Sequence, residues 1–257
     1  NGERLTVGPP FFNKWLVPIG LILLALTGIG PLMAWRKSAV ENLKNQFLIP
    51  VACGLVTGGV VVAMGVRLWS SGLCFALSGM VIGTIAQEFW RGSRVRQGNT
   101  GTDIFTALVG LVGRNKRRYG GYTVHVGITL MFLGFAGAGF QREETVLLKP
   151  GQTATVGAYT VLMDKLSVTD DGQKQMTTTH VTVTKDGKPF AKKYPARWAF
   201  RKHEAEPTTE VAIHRGFAED FYLVQAGADV GTQTASIKVV INPLVNWIWF
   251  GFGVLAL

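Results

Sequence analysis

Negative charge is scarce over most of this sequence. Only four of its 16 Asp and Glu residues lie outside positions 141–242, while half of the 26 Lys and Arg residues do. The flanking parts therefore carry a net charge of +9 and the central stretch only +1. Charged residues make up just 16% of the chain, too few for one ordinary soluble domain. Cysteine is also rare. Cys53 and Cys74 both fall in apolar runs, which excludes a closely spaced multi-cysteine zinc site. The central stretch has no cysteine, so it holds no disulfide and says nothing of its redox compartment. It also lacks a nucleophile–base set and a glycine-rich phosphate loop. No internal repeat or low-complexity segment interrupts the chain. A basic chain can signal nucleic acid, but these cations sit beside apolar runs, and no nucleic-acid partner is expected.

What is present is length of apolar sequence. A spanning helix needs roughly 20 predominantly apolar residues, and four stretches qualify, at 15–35, 47–69, 72–89 and 121–140. A fifth begins near Leu244 and is cut at Leu257. Trp15, Trp35, Trp69, Trp90, Trp247 and Trp249 lie near the ends of these runs, as in an aromatic belt. Loop 36–45 carries three cations and loop 91–118 carries seven. The positive-inside tendency puts both loops in the cytoplasm and residues 141–242 outside. Within 91–118, Ile104, Leu108, Leu111 and Val112 recur at helical spacing after Thr102 and Asp103, which suit caps. This stretch is too short to span and reads as an interfacial helix.

Between 141 and 242 the period changes. Thr177, Thr179, Val181 and Val183 alternate with Thr178, His180, Thr182 and Thr184. Asp171-Gly172 and Asp186-Gly187 mark turns, and VLMDKLSV, EVAIHRG, DFYLVQAG and SIKVVINP read as further strands. The expected fold is a polytopic α-helical membrane protein with an external all-β domain inserted between two transmembrane helices. That domain is an antiparallel sandwich or small barrel. The corresponding division is 1–140 membrane domain, 141–242 β-domain and 243–257 the start of a further, truncated span. Starting at Asn1 and stopping inside an apolar run, the chain reads as a piece of a longer polypeptide.

His125 stands out because it lies a few residues inside the fourth apolar run. On a helix, Thr129, Phe132 and Ala136 share its face, and Gly120, Gly127 and Gly134 fall opposite, where another helix can approach closely. An ionisable group in a span points to function. Spacing leaves three readings open: an interhelical hydrogen bond, an axial ligand to haem or another metal, or a proton relay. The other histidines, His180, His203 and His214, read as solvated surface groups, and Glu88 as the partner of Arg91 in a helix-end ion pair.

Four stretches carry a family resemblance: VGPPFFNKWLVPIGLILLALTGIGP, RNKRRYGGYTVHVGITLMFLGFAGAGF, TEVAIHRGFAEDFYLV and NPLVNWIWFG. From Val7 onward the chain resembles the C-terminal part of the CcmF-type cytochrome c haem lyases, which are related to the NrfE-type proteins. RRYGGYxxHxG and PLVNWIW are the specific signals. The resemblance implies that His125 is one axial ligand of a transmembrane haem b. It also implies that the second ligand and the tryptophan-rich haem-presenting segment belong to an N-terminal part absent here. Arg117, Arg118, Tyr119 and Tyr122 lie at the right end of the helix to meet haem propionates. The implied activity is covalent attachment of haem to the CxxCH sequence of apocytochrome c, with the haem b reducing the incoming haem. The fragment alone is expected to be inactive. Implied partners are the N-terminal part of the same subunit, a CcmE-type haem chaperone, a CcmH-type thiol-handling subunit, apocytochrome c and membrane lipid. The implied location is the bacterial inner membrane, with the β-domain in the periplasm. A scaffold that recruits partners without binding haem is the alternative.

Overall fold

The computed structural model describes residues 8–33, 40–201 and 207–256. Trp35, the cationic residues Arg36 and Lys37, and His203 lie outside them. The chain forms two compact units. One is Asn1–Gly139 with Trp247–Leu257, and the other is Phe140–Asn246.

The first unit is helical. Helix α1 (Pro9–Ile29) opens with prolines at its first turn, where a missing N–H costs nothing. Helix α2 (Val40–Ala63) and α3 (Trp69–Thr100) follow, then the short α4 (Ile104–Arg114), α5 (Lys116–Ala136) and, after the β-domain, α6 (Asn246–Leu255). Among the described residues, four segments are long and apolar enough to cross a membrane: Pro10–Leu32, Gln46–Ala63, Trp69–Thr100 and Lys116–Phe140.

Helix limits differ from the apolar runs at several ends, most plainly in α2 and α3. Residues 40–45, expected in a loop, form the start of α2, and that helix stops at Ala63 because Gly65 takes a left-handed φ of +96°. Trp69 therefore opens α3 instead of closing α2. Likewise α3 does not end with its apolar run at Phe89. Nothing in QEFWRGSRVRQGNT breaks a helix until Gly101, which caps it at φ +69°. Its 32 residues span about 48 Å against a hydrocarbon core of about 30 Å. The helix thus runs well past the apolar stretch.

Small residues make the helix contacts. Gly54 and Gly58 of α2 lie against Ala76 and Met80 of α3, and Gly79 and Gly83 of α3 lie against Thr57, Cys53 and Pro50 of α2. A Cβ on Gly83 would lie 3.0 Å from the Cys53 side chain and 3.3 Å from the Pro50 backbone. Spaced small residues of this kind let backbones approach within a bilayer, where apolar burial alone gives no driving force. The same device joins α5 to α6, since a Cβ on Gly127 would sit 2.8 Å from the Gly251 carbonyl oxygen.

The second unit is an all-antiparallel β-structure of two sheets. One has the order β1 (Arg142–Leu148), β10 (Thr234–Pro243), β9 (Glu219–Asp229), β8 (Ala212–His214). The other runs β2 (Thr153–Val156), β3 (Tyr159–Asp170), β4 (Lys174–Lys185), β6 (Ala196–Phe200), β7 (Thr208–Glu210), with β5 (Lys188–Lys193) paired to β4. The expected alternation in β4 is present: Thr179, Val181 and Val183 are fully buried, and the residues between them are half-buried. Both Asp-Gly pairs make tight turns, Gly172 and Gly187 having positive φ. Val161, Met163, Val181, Leu223, Ile237 and Val239 meet in one core, where Tyr159 stacks on Phe221 with ring centroids 4.4 Å apart.

Candidate functional site

Helix α5 carries the residues singled out from sequence. Arg118, Tyr122, His125 and Thr129 recur at intervals of four and three, which aligns them along one face. The lower half of this stripe is bound to α3 through Glu88. That carboxylate is only 3% exposed, yet it is fully partnered. Arg91 donates to Oε1, Arg118 donates to Oε2 at 2.6 Å, and the Tyr122 hydroxyl donates to Oε2 at 3.3 Å. The Arg118 Nε also donates to the Tyr122 hydroxyl at 3.0 Å. Tyr119 and Phe89 pack edge and face around this cluster. A buried carboxylate is tolerated only when opposite charges and hydrogen bonds replace its water, and here three donor contacts do so.

The sequence reading of Glu88 as the partner of Arg91 is half of this arrangement. The other half, Arg118 and Tyr122, comes from a helix thirty residues on. One signal was available. Glu88 is the single acidic residue in the four apolar runs, and such a residue needs a cation from outside its own turn.

Farther along the stripe, His125 is half-buried and its Nδ1 is enclosed with no hydrogen-bond partner among the described residues. Thr129 turns its hydroxyl back to the His125 carbonyl oxygen at 2.7 Å, so it satisfies its own helix and leaves the imidazole alone. The interhelical hydrogen bond considered for His125 is not formed at its Nδ1 among the described residues. Arg118 and Tyr122 stand two turns and one turn from His125, the arginine about 10 Å away along the helix axis, and both are committed to Glu88. Arg117 is exposed and makes no ion pair among the described residues. Nowhere among the described residues do three His, Cys, Asp or Glu side chains come together as a metal centre would require.

The donor set can be weighed against a haem. An apolar span, an imidazole with an enclosed and unpartnered nitrogen, and cations toward one end of the same helix suit a ligand that is apolar in its body and anionic at its edge. The residues present fit such a group with His125 as a single ligand, and they offer no second one.

In the β-domain two histidines differ from the sequence expectation. His180 is half-buried and its Nε2 lies 2.9 Å from the Ser167 hydroxyl, with Tyr194 edge-on to its ring. Burial, then the Lys165 cation, pushes its pKa below the usual histidine value. His214 lies against Phe190, ring centroids 4.3 Å apart. His180 sits on a strand flanked on both sides, and His214, on the edge strand β8, is covered by Phe190 of β5, so facing away from the core does not mean facing water.

Three comparisons place the chain among known proteins. Residues 139–243 match the family model described as the CcmF C-terminal beta-sandwich. The cytochrome c-type biogenesis protein CcmF of Pseudomonas fluorescens is 26% identical over 254 residues, covering 98% of this chain and 37% of that protein. CcmF of Escherichia coli is 28% identical over 267 residues, with the same shares covered, and NrfE of Haemophilus influenzae is 26% identical. The chain thus spans little more than a third of the length of these relatives. A solved structure titled cytochrome c heme lyase CcmF shares the fold, with a TM-score of 0.72, 21% identity, and coverage of 97% of this chain and 39% of that one. From one end to the other, the chain is similar to the C-terminal part of a CcmF-type haem lyase, the family its motifs resemble.

Proposed function

We propose that this chain serves cytochrome c maturation as the C-terminal portion of a haem lyase subunit, the one that joins haem covalently to the CxxCH sequence of apocytochrome c. Support for the general role comes from relatives that are cytochrome c-type biogenesis proteins over the full extent of this chain. The finer reading rests on one observation, the enclosed, unpartnered Nδ1 of His125 in an apolar helix. In this reading His125 is one axial ligand of a membrane-embedded haem b, and the second comes from the N-terminal part of the subunit. When bound, that haem supplies one-electron chemistry, which keeps the incoming haem reduced while its vinyl groups accept thiols. The chain's own residues hold and orient. α5 fixes the imidazole at one depth, the glycine contact between α5 and α6 keeps that helix in place, and the apolar surroundings exclude water. Arg117, in no ion pair among the described residues, is the cation assigned to a propionate. Arg118 and Tyr122 would be shared with Glu88.

In the membrane arrangement that goes with this function, 36–45 and 91–118 face the cytoplasm and the β-domain faces the periplasm of a bacterial inner membrane. The 243–257 segment begins a further span. The β-domain has its own core and, among the described residues, no catalytic constellation, so the role assigned to it is docking: of apocytochrome c, of a CcmE-type haem chaperone, or of a CcmH-type thiol-handling subunit. This chain without the N-terminal part is then inactive.

The test is a reduced-minus-oxidised absorption spectrum of the chain co-expressed with the N-terminal part of a CcmF-type subunit. A low-spin b-type signal that His125→Ala abolishes at equal protein level supports the ligand role. An unchanged signal, with cytochrome c still assembled in His125→Gln, would return the chain to the scaffold reading, which the self-contained core of the β-domain favours.

A further inference from the structure

A cleft of about 450 Å3 opens beside Glu88, where α3 runs on past its apolar stretch and α4 packs back against it. Four arginines line it, Arg91, Arg96, Arg114 and Arg118, against a single carboxylate, Glu88. That carboxylate is saturated by Arg91 and Arg118. Arg96 and Arg114 have no acidic partner among the described residues. Arg96 is half-buried and lies across Gly110 of α4. A Cβ on Gly110 would fall 2.6 Å from a guanidinium nitrogen, so the missing side chain makes room for the arginine. The guanidinium is thereby held in place with its charge unanswered.

The helix that closes this cleft has two faces. Asp103 caps its start, accepting from the Phe105 and Thr106 backbone N–H groups. Ala107 and Leu111 are buried. Phe105, Val109 and Val112 lie on the opposite stripe at 70%, 58% and 37% exposure. A short helix between two spans, with cations on one side and an exposed apolar stripe on another, suits the boundary of a bilayer.

We propose that this cleft binds the headgroup of an acidic phospholipid. The phosphate sits between Arg96 and Arg114, and α4 lies in the same leaflet on its Phe105–Val109–Val112 stripe. A planar guanidinium matches two phosphate oxygens at once, and basic pockets between membrane helices recognise such headgroups. A free phosphate would use the arginines equally but would leave the apolar stripe without a role, which is why the lipid is the source assigned. The inference rests on α3 and α5 being membrane spans, and is independent of haem.

The test uses the full chain reconstituted in phosphatidylcholine nanodiscs, with phosphatidylglycerol titrated in and bound lipid read by native mass spectrometry. Phosphatidylglycerol should be retained in preference to phosphatidylcholine, and R96Q/R114Q should weaken that retention by about tenfold, each cation near an acidic lipid being worth a severalfold change. R94Q/K116Q removes the same charge from positions outside the cleft and should change retention by less than about twofold. Equal losses in the two double variants, or no preference for phosphatidylglycerol, would overturn the site. Displacement of the lipid by millimolar inorganic phosphate at matched ionic strength would overturn the lipid assignment. Thermal unfolding in phosphatidylcholine alone should be the same for R96Q/R114Q and the parent chain. If it is not, R96K/R114K carries the test, because lysine keeps the charge and loses the two-pronged geometry. A severalfold loss is expected, and unchanged retention would reject the proposal.

Discussion

The two units are built on opposite plans. In the β-domain the interior holds Tyr159, Phe221, Leu223, Ile237 and the valines of β3 and β4, and the outward positions are threonine, lysine and aspartate. In the helical unit the large apolar side chains face out: Leu16, Ile19, Ile22, Leu55 and Val56 are each more than half exposed. Its interior contains Ser71, Ser78, Thr84, Ser93, Thr129 and the charged Glu88. The difference shows which solvent each unit was selected for. Water drives leucine inward, whereas lipid is indifferent to it, and helices then hold together by close glycine approach and by polar contacts.

Substitutions at five positions would break or sharpen this contrast. The largest effect is expected in the β-domain. Phe221→Ala leaves a cavity beside Tyr159 and should cost about 3–5 kcal/mol, measured by urea unfolding of residues 140–246 expressed alone. The parent fragment should itself unfold cooperatively, and a broad, non-cooperative parent transition would contradict the claim of an independent core. In the helical unit the counterpart is Glu88→Ala. Breaking a fully buried ion pair costs about 3–5 kcal/mol. Here Arg91 and Arg118 are 49% and 56% exposed and can rehydrate, so about 2 kcal/mol is expected. Thermal unfolding in detergent measures it, and Glu88→Gln should recover part of the loss.

Gly83→Leu should push α2 from α3 at a cost of about 1–3 kcal/mol, while Leu55→Ala, at a 72% exposed position on α2, should leave detergent stability unchanged. A loss at Leu55 equal to that at Gly83 would mean the helical unit is packed like a water-soluble core. The smallest effect is electrostatic. Burial pushes the Glu219 carboxyl up, but hydrogen bonds from Lys185 (2.6 Å) and Tyr159 (2.9 Å) outweigh it and hold the group below its usual value. A depressed carboxylate stabilises the fold above its unfolded pKa and loses that contribution as pH falls through the folded one. The β-domain should therefore lose up to about 1 kcal/mol on acidification from about pH 5 downward. In Lys185→Met the same acid titration should be flatter.

The apolar runs and the period-two pattern around Val181 and Val183 make both units legible from residues alone, because each pattern follows directly from the solvent a side chain meets. Helix ends were less readable. The run ends at Phe89 but the helix continues to Thr100, since a helix can leave the membrane without unwinding and only Gly101 stops it. Pairing across helices was signalled only by the lone acidic residue in the apolar runs, with no pointer to its partner. Nothing near Glu88 in the chain points to Arg118, and the histidines of β4 and β8 were assigned to water because a single strand's alternation does not reveal the side chains of its neighbours.

The first and last strands of the β-domain are neighbours, Arg142 pairing with Ile241 and Leu148 with Ala235. The chain therefore goes out and comes back about 5 Å apart, and α5 and α6, which flank the domain in sequence, touch each other through Gly127 and Gly251. A hundred residues of sandwich thus begin and end on neighbouring strands. Such a segment behaves as a cassette. It can be lengthened or exchanged without redrawing the helices that precede and follow it in sequence, so the two units are free to diverge separately.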